Sequence, residues 1–150
     1  TIATWLRLIL IEIKRIKVRI GQENIPIDSQ QNRIVSEFKQ LVERHYKQKH
    51  KVNEFAELLN ITANYLNEVI KASTGYSAKE IIQNRIILEA KRFAINSDKT
   101  MKEVAYQLGF EEIPHFSKFF KNCTSKTYSA FSEEIRKKYN TSDHFDISPR

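Results

Sequence analysis

The chain has 150 residues, 41% of them hydrophobic, enough for one ordinary domain or two small ones with a buried core. Its three Gly exclude a glycine-rich phosphate loop, its single cysteine excludes an intrachain disulfide and fits a reducing cytoplasm, and no apolar run reaches the roughly 18 residues of a membrane span. The formal charge of +7 suits a polyanion, but residues 1–50 carry ten Lys+Arg against five Asp+Glu and residues 51–150 fifteen against thirteen, so position rather than net charge has to decide the partner.

In chain order, Ile2, Leu6, Ile9, Ile13, Ile16 and Ile20 step by four and three, with Arg7, Lys14, Arg15, Lys17 and Arg19 off that seam. The spacing predicts an amphipathic helix over residues 2–20 that needs a partner, and a homodimer through those six residues is the expected one. Two rival readings are a strand, since Ile16, Val18 and Ile20 alternate, and a basic helix lying on a membrane surface. Residues 21–31 (GQENIPIDSQQ) read as a linker, and residues 32–138 as the main domain.

Inside that domain the chain repeats itself. Glu54, Ala56, Leu59, Asn60 and Ile61 match Glu103, Ala105, Leu108, Gly109 and Phe110 at an offset of 49. After one inserted residue, Leu66, Val69, Ile70, Lys71 and Thr74 match Phe116, Phe119, Phe120, Lys121 and Thr124 at an offset of 50. Each copy reads as a short helix, a tight turn and a second helix, over about 52–75 and about 101–124. Asn60 and Gly109 are the types that best tolerate a left-handed backbone at the turn, and Ile61 or Phe110 plugs the angle. That is a helix-turn-helix pattern; the rival is a helical hairpin that only packs. Between the copies, Ser77 to Glu80 has capping-box spacing and opens an uninterrupted helix over 77–96, about 30 Å long; Thr100 to Glu103 supplies the next box. A rod of that length suits two reading heads in successive major grooves, which recur every ~34 Å. Residues 139–150 read as a flexible tail.

Tyr65, Leu66, Val69 and Ile70 form the apolar stripe of the first copy's second helix, leaving Ala63, Asn64, Asn67, Glu68 and Lys71 outward. In the second copy Phe116, Phe119 and Phe120 face inward, leaving Ile113, Pro114, His115, Ser117, Lys118 and Lys121. Asn suits adenine edges and Lys suits guanine or phosphate, with Lys118 the foremost candidate for a base contact. Each has a plainer reading: Lys71 and Lys121 as solvated charges or phosphate contacts, His115 as a packing residue, Glu68 as a sign of weak binding by the first copy. Thr62 and Ser77 suit phosphate oxygens, yet capping alone explains them.

Through KEVAYQLGF, HFSKFFKN and NITANYLNEVIKASTGYS, the region from about residue 52 to 136 resembles the DNA-binding domain of AraC/XylS-family transcription regulators. The resemblance implies an all-α, homeodomain-like fold of seven helices, the second helix of each unit in a major groove of double-stranded DNA, and promoter activation through contact with RNA polymerase. It also implies an N-terminal sensor domain for an effector, not visible here, so the chain reads as the C-terminal part of a bacterial, cytoplasmic, nucleoid-associated regulator. There are departures: Ser125 and Tyr128 stand where the family usually has Gly and then Pro, Ser132 where Arg commonly follows the closing aromatic, here Phe131, and Ala78 where Pro is frequent. The phosphate contact of that Arg does not carry over.

Enzyme chemistry finds no footing. The four His and Cys123 lack zinc-ligand spacing, the adjacent pairs Glu111-Glu112 and Glu133-Glu134 diverge on a helix, and no nucleophile sits with its base, so neither a metal nor another cofactor is expected. The alternative to a DNA reader is a helical protein-protein interaction module with weak or lost DNA affinity.

Overall fold

The computed structural model describes residues 27–140, and among them every regular element is a helix. The segment from Ile2 to Ile20 expected to dimerise, most of the expected linker and residues 141–150 lie outside the described residues. The first described helix, α1 (Ile27–His45), begins within the segment read as a linker. Asp28 and Ser29 suit a helix start as well as a loop, and Ile34, Val35, Phe38, Val42 and Tyr46, three or four apart, give the helix a buried face.

The two units follow. In the first, α2 (Val52–Leu58) and α3 (Ala63–Thr74) flank a turn; in the second, α5 (Met101–Gln107) and α6 (Ile113–Thr124) do the same. Matched helices have equal lengths, and the extra residue of the second copy falls in its turn, as the change of offset requires. The backbone closes both turns alike: Ile61 N donates to Ala56 O at 3.1 Å and Phe110 N to Ala105 O at 3.0 Å, with Asn60 at φ 54° and Gly109 at φ 82°. The repeat runs further than the matched letters. Thr74 and Thr124 each donate back to the carbonyl four residues earlier, at 2.7 and 2.8 Å, and each is followed by a left-handed residue, Gly75 or Ser125. Ser77 and Thr127 then accept from the N–H three residues on, at the starts of α4 (Ala78–Asn96) and α7 (Tyr128–Asn140).

Helix α4 is the rod. It packs against α1, α2 and α3 on one side and α6 and α7 on the other, which is why Ile82, Ile86, Ile87 and Ala90 are all buried around more than one face. One continuous core results. Phe38 meets Phe55 edge-on at 5.8 Å in the first unit, while Tyr128 sits against Phe116 and Phe120 at 5.4 and 5.3 Å in the second. Fully burying such a ring contributes about 1.5–3 kcal/mol, and these aromatics hold α3 and α6 in place from behind.

Candidate nucleic-acid interface

Each second helix buries one face and offers the other. Leu66, Val69 and Ile70 anchor α3, and Phe116 and Phe120 anchor α6. On α3 this leaves Asn64, Glu68 and Lys71 exposed together; on α6 it leaves Pro114, His115, Lys118 and Lys121. Within α6 the outward face carries two lysines and no carboxylate, with the exposed Glu111 and Glu112 just before its first turn, whereas on α3 Glu68 lies within the helix beside Lys71. Lys118 and Lys121 make no ion pair among the described residues.

Several expected residues have other work. Asn67 does not face outward: it is half-buried, and its Oδ1 accepts from Ala78 N at 3.0 Å, tying α3 to the first turn of the rod. That N–H exists because position 78 is Ala rather than the Pro frequent in the family, and a first-turn N–H of a helix has no partner of its own. Ser77 is a cap. Its Oγ accepts from Glu80 N at 3.2 Å while its hydroxyl and backbone N–H donate to Glu80 Oε2 at 2.9 and 2.7 Å, leaving little for a phosphate. Thr62 caps α3, accepting from Tyr65 N at 3.2 Å, but it is exposed and its hydroxyl proton remains available. Ala63, Ile113 and Ser117 are half-buried at the edges of their helices. Pro114 lies in the first turn, where a missing N–H costs nothing.

His115 does not pack; it is 73% exposed, with Nε2 3.8 Å from Glu112 Oε2, a contact that is ionic only when the imidazole is protonated. Tyr65, read as part of the inward stripe, is 36% exposed instead, and joins the outward face of α3. Its position at the edge of the stripe, next to Leu66, was the available signal. Phe119 is only partly buried and packs on Phe110 at 5.2 Å. Among the departures, Ser125 takes the left-handed conformation at φ 63° that Gly usually supplies, and Tyr128 fills the core. Phe131 closes the second unit against Phe120 at 5.9 Å.

Two similar units on one rod, each with a polar outer helix, are a known arrangement, and comparison with known proteins identifies it. Residues 55–140 match the family model described as a helix-turn-helix domain. The chain belongs to the AraC-type helix-turn-helix family of DNA-binding transcription regulators. It is 30% identical over 102 residues to the Msm operon regulatory protein of Streptococcus mutans, covering 68% of this chain and 37% of that protein. It is 27% identical over 104 residues to the HTH-type transcriptional activator Btr of Bacillus subtilis, covering 69% of this chain and 20% of that one. The chain thus spans well under half the length of these curated relatives. The DNA-binding domain of AdpA, a global transcriptional factor solved in complex with a target DNA, superposes with a TM-score of 0.63 at 18% identity, covering 71% of this chain and 96% of that one. Among the described residues no three His, Cys, Asp or Glu side chains gather where a metal could bind, and no helix is long and apolar enough to cross a membrane.

Proposed function

We propose that this domain reads double-stranded DNA with α3 and α6 in adjacent major grooves on one face of the duplex, and that it does so within a transcription regulator acting as an activator in the bacterial cytoplasm, on the nucleoid. The observation that carries this reading is the duplication itself: two helices of equal length, each anchored by its apolar side and polar on the other, mounted on one rod. Base discrimination falls to Asn64 and Lys118, with Tyr65 and His115 beside them; phosphate contact falls to Lys71, Lys121 and Thr62. Contact with RNA polymerase, a homodimer through Ile2 to Ile20 and an effector bound by a separate sensor domain belong to the same proposal.

The test is a titration of duplexes selected from a random pool, against scrambled duplexes, at several salt concentrations. Affinity is expected to fall steeply as salt rises, since neutralised phosphates release counterions. Lys118→Ala is expected to relax preference at one position by roughly 1–3 kcal/mol, while Lys121→Ala weakens all sequences alike. Salt-independent behaviour, or equal losses on selected and scrambled DNA for both variants, would instead favour a protein-binding module, the reading to which the exposed Glu68 lends support.

A further inference from the structure

The two units are joined by more than the rod. His50, in the turn between α1 and α2, places Nε2 2.8 Å from Leu108 O, across 58 residues of chain. Because a carbonyl only accepts, His50 donates there and caps one of the carbonyls that the end of α5 leaves without a helical partner. The same ring lies 4.7 Å from that of Phe110, which in turn contacts Phe116 and Phe119 of α6 at 5.3 and 5.2 Å. Next to it the backbones touch: a Cβ on Gly109 would fall 1.9 Å from Lys47 O and 2.9 Å from Lys47 C. The equivalent position of the first unit holds Asn60, a full side chain, so this close approach is peculiar to the second hinge.

The turn is braced from its other side too. Arg85 of the rod donates to Glu43 at 2.8 Å and stacks its guanidinium 4.1 Å over Tyr46, at the end of α1. Rod, α1, the 46–50 turn and the second hinge therefore form a closed loop of contacts that ends on α6.

We propose that this clasp is a registration device: it fixes the angle and separation of α3 and α6 and so determines which spacing between two DNA subsites the protein accepts, with His50 as the positioning residue. The proposal rests on the two-groove reading above. One base pair more or less moves a subsite by about 3.4 Å along the duplex and about 35° around it. A second head held on two sides resists the change, whereas a head held by the rod alone has only its packing against α4 to oppose a swivel about the four residues between α4 and α5.

The experiment uses the full chain and duplexes in which the two selected subsites are separated by spacers from two base pairs shorter to two longer. Wild type is expected to lose affinity about tenfold for a one-base-pair change, comparable to one mismatch in a specific site. His50→Ala is expected to flatten that dependence to about threefold or less, on the same scale, while binding to a duplex carrying one subsite is unchanged. His50→Gln, which keeps an N–H donor, is expected to restore much of the preference. If His50→Ala melts at a lower temperature but keeps the wild-type spacing profile, the histidine only stabilises the fold and the proposal is overturned. If wild type binds one subsite as well as two, the two-groove reading fails and the registration device with it.

Discussion

At the scale of single residues, the left-handed positions separate conformational cost from close approach. Gly75 and Gly109 have nearly the same φ, 79° and 82°, but a Cβ at Gly75 meets nothing within 4 Å while one at Gly109 runs into the Lys47 carbonyl. Gly75→Ala is therefore expected to cost about 1–2 kcal/mol, the backbone term alone. Gly109→Ala adds displacement of a neighbouring backbone and is expected to cost at least about 3 kcal/mol. Ser125→Gly, which relieves a serine held at φ 63°, is expected to stabilise by about 1 kcal/mol. Urea unfolding of the three variants checks the order; equal losses at Gly75 and Gly109 would mean that the second hinge is not pressed against the first unit. The preference for Asn or Gly at the hinge was legible in the sequence, because conformation is local. The reason Gly stands at 109 rather than Asn was not, because it depends on Lys47, far away in the chain.

At the scale of helices, three of the starts, those of α2, α4 and α5, are held by carboxylates. The Ser77 backbone N–H and then its hydroxyl hold Glu80 below the usual carboxylate range, and Thr100 does the same for Glu103. For Glu54, burial pushes upward, but the N–H groups of Lys51 and His50 and the charges of Lys49 and Lys51 together outweigh it and the net direction is down. A carboxylate lowered by folding stabilises the native state fully above its ordinary value, near 4.5, and that contribution is lost as pH falls through the lowered native value. Melting temperature is thus expected to hold through neutral pH and to drop below about 4.5, with a shallower acid limb in Glu80→Gln/Glu103→Gln. An acid limb unaltered by the double substitution would remove the capping boxes as its source. Both boxes, both turns and the inserted residue were visible as letter spacings, since capping and hinge geometry span only a few residues. The direction of Asn67 was not visible, because periodicity assigns a face to a helix without saying that Ala78 N–H of the next helix waits on that face. The start of α1 was missed for a related reason: Asp, Ser, Gln and Asn serve loops and first turns alike, and burial of Phe38 and Val42 against other helices decides between them.

At the scale of the molecule, the rod binds both units into one core, and the clasp at His50 and Gly109 gives the second unit a further attachment to the first. That combination makes the spacing of the two outer helices a property of the fold rather than of the DNA. The duplication was fully legible in the sequence; the bracing was not, since Arg85 with Glu43 and His50 with Leu108 are contacts between segments 42 and 58 residues apart. The central claim is that one chain engages two successive grooves at once, and hydroxyl-radical footprinting on a selected duplex tests it most directly. Two protected segments on one face, about 10 base pairs apart, are predicted. Protection of a single groove segment at saturating protein would contradict it.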